Sequence, residues 1–180
     1  MLEASLPTLI SVSHVACYGD HQMRILTIGY EGVALGEFLD VLQAQGVRRI
    51  VDVRDIALSR KPGFSKGALS RALAEIGIEY IHERVLGTPK PIRQALRETG
   101  DWDTYERAYL EFLAPRETHF ERILEFDDIC LLCFEANFAE CHRSLVTRRM
   151  QALGLVDEVR HLAPAKKTTP ALPALATQSV

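Results

Sequence analysis

Long apolar runs are missing from this chain. None approaches the ~20 residues that a bilayer-spanning helix requires, and the N-terminus lacks a charged segment leading into an apolar one of the kind secretion uses. A cytoplasmic protein with no membrane partner is therefore expected. Cysteine is scarce as well, with four in 180 residues at positions 17, 130, 133 and 141. Two of these lie in an apolar run that reads as core, so reduced thiols fit better than a disulfide framework. Neither G-x-x-x-x-G-K-[ST] nor G-x-G-x-x-G occurs, which disfavours nucleoside triphosphate or dinucleotide binding of the usual kinds. Phosphatase and sulfurtransferase loops place an arginine six residues after the cysteine; here Ala139 follows Cys133 and Thr147 follows Cys141 at that distance. Metal ligands at familiar spacings are also wanting. Cys130 and Cys133 form a C-x-x-C, but odd spacing within a strand sends the two side chains to opposite faces, and no second C-x-x-C or H-x3-5-H exists to complete a zinc site. Neither a metal nor a cofactor is expected.

What is present suits one soluble globular domain: 47% of residues are hydrophobic and 25% charged, enough apolar material for a proper core. Residues 1–22 show no sustained period and read as an N-terminal extension, with Met23 a candidate start. Residues 163–180 include Pro164, Pro170 and Pro173 and no aromatic, so they cannot bury enough surface to offset their ordering entropy, and a disordered tail is expected. The folded unit is placed at 23–162.

Within it, strand and helix patterns alternate. Residues 25–28 read as a strand, after which Leu35, Phe38, Leu39 and Leu42 recur at helical spacing up to Gly46. Residues 50–53 form a second strand, followed by a long basic loop to Ser65, a natural N-cap. The next helix buries Leu69, Leu73 and Ile76 and stops at Gly77, and a third strand covers 78–81. Two helices follow at 104–113 and 116–125, with Ala108, Phe112, Phe120 and Leu124 inside. Residues 129–134 are apolar throughout, as in a central strand covered on both faces. A helix over 138–153 and a short strand at 156–159 complete the unit. Strands separated by helices predict a three-layer α/β sandwich with a mainly parallel central sheet.

Polar residues stand where these strands end: Gly29-Tyr30-Glu31, Asp52-Val53-Arg54, His82-Glu83-Arg84 and Glu135 with Cys141-His142-Arg143. In a parallel sheet those ends share one edge, where open α/β folds place their ligand site. The basic residues cluster beside it. From Arg48 to Arg71 there are seven bases and two acids, a net +5, while the whole chain is at -3; such a patch raises the local concentration of an anionic ligand, and a merely solvated basic face produces the same run. In the loop after Asp52, Ser59, Arg60, Lys61, Phe64 and Lys66 surround the Pro62-Gly63 turn. An aromatic ring flanked by cations can stack on a base while the cations hold phosphate, although Phe64 alone is better read as a plug beneath the loop. Arg54 suits bidentate contact with phosphate or carboxylate, or an ion pair with Asp52. Asn137 and Glu140 have the spacing of a capping box, which would put Cys141 and His142 in the first turn of a helix. There a thiolate is stabilised, making Cys141 a candidate nucleophile; His142, on the apolar face, equally suits a buried strut.

The segments TIGYEG (27–32), DVR…SRKPGFSK (52–66), YIH…LGTP (80–89) and LLCFE…CHR (131–143) together resemble the bacterial and archaeal domain of unknown function 488 family, from about residue 24 to 162. The resemblance implies a compact α/β sandwich. It points to Gly29, Asp52, Arg54, Ser59, Phe64, His82, Leu86-Gly87, Pro89, Cys133, Glu135, Cys141, His142 and Arg143, and it names no settled reaction. The chain departs from the family pattern at Ala57-Leu58, where a proline usually precedes the loop serine, and at Thr88, where a second glycine is frequent.

The function expected from these residues is an enzyme cleaving a glycosidic or phosphate bond in a nucleotide or nucleic-acid type anionic substrate. Glu135 is its principal acid/base or oxocarbenium stabiliser, and Glu31 or His82 its partner. Tyr30, Asp52, Arg54, Ser59, Arg60, Lys61, Phe64 and Lys66 are assigned to substrate, and Gly29, Cys133, His142 and Arg143 to supporting the site. Two alternatives remain: a noncatalytic module binding nucleic acid or an anionic small molecule, and thiol chemistry at Cys141. The sequence does not fix the oligomeric state.

Overall fold

The parallel pairing expected from alternating elements is realised throughout the sheet. The structure, a computed structural model, describes residues 23–164, so the expectations for 1–22 and for the tail from 165 lie outside the described residues. Strand β1 (Arg24–Gly29) pairs with β4 (Ile129–Cys133) and β5 (Glu158–Leu162), and β2 (Arg49–Asp52) pairs with β4 and with β3 (Glu79–His82). All four pairings are parallel and the order is β3-β2-β4-β1-β5. The apolar run Ile129–Cys133 is central and wholly buried. That position is what a continuous rather than alternating apolar pattern demands.

Parallel pairs need crossovers that lay helices on both faces. Helices α1 (Leu35–Ala44) and α2 (Lys66–Glu75) cover one face, where Phe38, Leu42, Phe64, Leu69 and Leu73 pack on Leu26, Ile28, Ile50 and Leu132. Helices α3 (Lys90–Thr99), α4 (Trp102–Leu113), α5 (Thr118–Leu124) and α6 (His142–Ala152) lie over Ile25, Val51, Ile129 and Leu131 on the other. The result is the three-layer sandwich. Cys130 belongs to the α1/α2 side, among Leu26, Ile50 and Leu132, while Cys133 emerges at the strand end, so the two thiols do diverge as strand parity requires.

The differences from the sequence reading have local causes. Helix α3 has no counterpart in the sequence pattern: its apolar residues are few among Lys90, Arg93, Arg97 and Glu98, and none of its residues is fully buried. In α4 the fully buried face carries Tyr105, Tyr109 and Leu113, while Phe112 packs half-buried against the same core and Ala108 is half-buried. Two tyrosines turn inward because their hydroxyls find partners, Tyr109 donating to the Leu86 carbonyl (2.5 Å) and Tyr105 sharing a 2.8 Å hydrogen bond with Thr88. The last helix opens later than residue 138. Asn137 instead caps a 3-10 turn (Phe138–Glu140) by accepting from Ala139 N at 3.1 Å. Cys141, extended at φ -135° and ψ 136°, is the N-cap of α6, and the last strand lies at Glu158–Leu162 instead of 156–159.

Candidate active site

Strand register brings Gly29 level with Cys133 and Asp52 level with His82, so four segments leave the sheet at one edge. The loop after β4 is fixed there through its backbone. Tyr30 N and Glu31 N both donate to the Phe134 carbonyl (3.1 and 2.9 Å). Glu31 also accepts from Ala136 N at 3.0 Å. Arg143, fully buried, donates to the carbonyls of Glu135 (2.5 Å) and Ala136 (3.2 Å) and to Thr27 Oγ1 (3.3 Å). Gly29 is what permits this approach: a Cβ there would stand 1.8 Å from the Glu135 carbonyl oxygen, against backbone that cannot swing aside.

These tethers leave the Glu135 side chain among two thiols and an imidazole. Cys133 Sγ donates to Glu135 Oε2 at 2.8 Å and Cys141 Sγ donates to the same oxygen at 3.1 Å. His142 Nδ1 lies 3.5 Å from Cys133 Sγ, and its Nε2 bonds the Val53 carbonyl at 2.8 Å. The ligating atoms of Cys133, Glu135, Cys141 and His142 all lie within 4.8 Å of one another. Burial works to raise the Glu135 pKa, but the thiol of Cys133, the His142 ring and the thiol of Cys141 outweigh it and hold the carboxyl below its ordinary value. Burial disfavours charge on His142, yet Cys141 and Glu135 outweigh it and raise the ring's pKa. Cys141 behaves differently from the expected activated thiolate: burial pushes its thiol well above the usual range. Desolvation there opposes the thiolate that a helix N-terminus would favour.

The loop at 52–66 has the opposite character. The fully buried Asp52 accepts from Arg54 Nε (2.8 Å), Arg54 Nη2 (2.5 Å), Arg54 N (3.1 Å) and the Tyr80 hydroxyl (2.5 Å). Arg54 Nη1 donates to the Tyr30 hydroxyl (2.7 Å) and the Phe64 carbonyl (3.0 Å). Burial disfavours the Arg54 charge, but Asp52 more than restores it. Phe64, with no exposed surface, stacks on Tyr30 at 4.4 Å and 7°, which makes it a plug. Lys61 Nζ donates to the Tyr30 carbonyl (3.0 Å), Ser59 Oγ accepts from Lys61 N (3.1 Å), and His82 Nε2 bonds the Arg54 carbonyl (2.8 Å). Lys66 begins α2 exposed, its backbone N–H on the Ala57 carbonyl. Gly87 closes the packing, since a Cβ there would lie 2.1 Å from Asp55 N.

Between the two segments opens a cleft of about 450 Å³. Of the residues singled out from sequence, Tyr30, Arg54, Ser59, Arg60, Cys133, Glu135 and His142 line it; Gly29, Glu31, Asp52, Lys61, Phe64, Lys66, His82, Cys141 and Arg143 do not. The cleft also draws on Asp55, Thr88, Arg93, Arg97, Tyr105 and Glu140, which the sequence reading missed. Arg93 and Arg97 sit four apart on α3, a spacing that presents both on one face and would have signalled a basic helix had α3 been foreseen. Arg93 is tied to Asp55 (3.1 Å) and to the Thr88 carbonyl (2.6 Å). Arg60 and Arg97 are exposed and make no ion pair among the described residues.

Fold and site together define a parallel α/β sandwich with a polar cleft at its strand ends. The sequence matches the family described as Domain of unknown function DUF488 over residues 34–150, and the chain belongs to that family. The matched segment holds three of the four motifs and leaves TIGYEG just ahead of it. No curated protein and no solved structure matches the chain.

Proposed function

We propose that this protein is an enzyme that cleaves a glycosidic or phosphate bond in a nucleotide-type anionic substrate, with Glu135 as the group that acts on the scissile bond. One observation carries the reading: a carboxylate held by two thiol donors stands in the same cleft as Arg60, Arg93 and Arg97. Cations at the rim can take a phosphate while the carboxylate below meets the sugar or the attacking water. A carboxylate accepting two hydrogen bonds serves as a base or stabilises developing positive charge, as an oxocarbenium-like transition state requires. Glu31 and His82 are engaged with backbone outside the cleft, so neither is retained as the partner; the other glutamate lining the cleft is Glu140. Cys141, at 1% exposure, supports this centre rather than attacking substrate itself.

The test is a panel of nucleoside monophosphates, nucleoside diphosphates and single-stranded oligonucleotides, with release of base or phosphate followed chromatographically. Glu135→Gln is expected to lower turnover by a factor of about 10² or more, the scale of lost acid-base catalysis, while ligand affinity changes little. Unchanged turnover would remove Glu135 from the chemistry. Salt-sensitive binding without turnover by the unmodified protein would instead identify a noncatalytic module.

A further inference from the structure

We propose that Cys133, Cys141, His142 and Glu135 form a binding site for a divalent cation of the zinc class. The donors are those such an ion selects: two thiols, an imidazole and a carboxylate. They come from the end of β4 and the start of α6, with ligating atoms all within 4.8 Å of one another. A tetrahedral ion with bonds of about 2.0–2.3 Å holds adjacent ligand atoms roughly 3.3–3.8 Å apart. The 3.5 Å between Cys133 Sγ and His142 Nδ1 already meets that spacing; the sulfur–carboxylate contacts, at 2.8 and 3.1 Å, must open by roughly 0.7 and 0.4 Å, and the widest pair, at up to 4.8 Å, must close.

The surroundings are those of a ligand set. His142 Nε2 is committed to the Val53 carbonyl at 2.8 Å, which directs Nδ1 at the cluster; a backbone carbonyl on the second ring nitrogen is the usual outer partner of a metal-bound histidine. Arg143 holds the Glu135 loop by two carbonyls and makes no ion pair among the described residues. Two thiolates and a carboxylate on a dication leave one negative charge, which this buried guanidinium would offset. On binding, both thiol protons and any proton on Nδ1 pass to solvent. The sequence expectation of no zinc site rests on Cys130 and Cys133 diverging and on the lack of a second C-x-x-C or H-x3-5-H; the thiol of Cys133 instead meets that of Cys141 at Glu135 Oε2, at a spacing no familiar motif contains.

Cys133, Glu135 and His142 also line the cleft, so the ion would stand at its floor. Four protein ligands fill a tetrahedral shell, the closed arrangement of a structural ion; the metal-bound form would occupy the carboxylate that the proposed function uses, and the site does not rest on that function.

The test needs no substrate. The full chain, stripped with a chelator, is titrated with Co²⁺. The expected result is a thiolate-to-cobalt charge-transfer band with the intense visible bands of a tetrahedral ion, saturating at about one ion per chain. Cys133→Ser and Cys141→Ser each remove about half of the charge-transfer intensity, and His142→Gln weakens affinity about tenfold or more. A Cys17→Ala/Cys130→Ala double variant keeps the full band. No charge-transfer band in the unmodified protein, or a band surviving both serine variants, overturns the site. Should the serine variants not fold, the unmodified protein and the double variant still decide. Chelator-insensitive, Glu135-dependent turnover without cobalt binding defeats the metal and leaves the proposed function standing. Cobalt binding without turnover of any nucleotide does the reverse.

Discussion

Residues 52–66 and residues 133–143 leave the same sheet edge, and they differ in where their polar atoms go. In the first segment Asp52, Arg54, Tyr30 and the Phe64 carbonyl saturate one another, and Phe64 seals them from below. In the second, backbone groups take up the structural work through Arg143, Glu31 and Gly29, leaving the side chains of Cys133, Glu135, Cys141 and His142 gathered beside the cleft, three of them lining it. An arginine at a strand end is thus no measure of ligand binding until its donors are accounted for. Buried and paired, Arg54 is a strut; Arg60 and Arg97 are exposed and make no ion pair among the described residues.

The comparison breaks first at Asp52. Removing one partner of a buried ion pair strands the other's charge at a cost of about 3–5 kcal/mol, so Asp52→Ala should lower stability by that amount in urea unfolding. A loss below about 1 kcal/mol would mean the loop is not held as described. Next in size is Glu135→Gln, a loss of about 10²-fold in turnover, equivalent to roughly 2.7 kcal/mol of barrier, with the unfolding midpoint nearly unchanged; equal losses in stability would erase the distinction between the two segments. Gly29→Ala should impair both properties, because its Cβ collides with the Glu135 carbonyl. About 1–3 kcal/mol is expected from such overpacking, and a fully stable, fully active variant would show the loop free to move.

Arg97→Ala should weaken binding of a nucleoside monophosphate by about threefold to tenfold and flatten its salt dependence, consistent with an exposed, screened charge. Isothermal titration at two ionic strengths measures both, and an effect no larger than that of removing a remote arginine such as Arg48 would exclude it from the rim. The smallest effect concerns His161, whose ring accepts from or donates to Thr27 Oγ1 at 2.7 Å. Burial and the nearby Arg143 charge depress its pKa in the folded chain. The unfolded chain therefore takes up its proton first, so His161 contributes stability that is present above the ordinary histidine pKa of about 6.5 and is lost as pH falls. Replacing it with glutamine should flatten that part of the stability profile by less than about 1 kcal/mol; a steeper acid loss in the variant would reverse the sign.

Much of this architecture is legible in the sequence because its strands are strongly patterned. The continuous apolar run at 129–134 reads as a central strand, realised at Ile129–Cys133, and the 3.6-residue period over Leu35–Leu42 reads as a helix covering one face. Strand ends place Cys133 and Glu135 at the edge that carries the cleft, which His142 also lines from the start of α6, and the preference for Phe64 as a plug matches its buried stack on Tyr30. What escaped detection was of two kinds. Helix α3 carries too little apolar surface to announce itself, and with it went Arg93 and Arg97. The convergence of Cys133 with Cys141 depends on the 3-10 turn at Phe138–Glu140 and on Cys141 acting as an extended N-cap; eight residues of separation encode neither. The same turn explains why the expected helix-terminal activation of Cys141 gives way to burial.

Under the proposed function, anions are received by Arg60, Arg93 and Arg97 and not by the buried, ion-paired Arg54. A crystal structure with a bound nucleoside monophosphate tests it most directly. The account predicts phosphate among Arg60, Arg93 and Arg97, sugar toward Glu135, and the Arg54–Asp52 pair intact. Phosphate seated on Arg54 with that pair broken would contradict it.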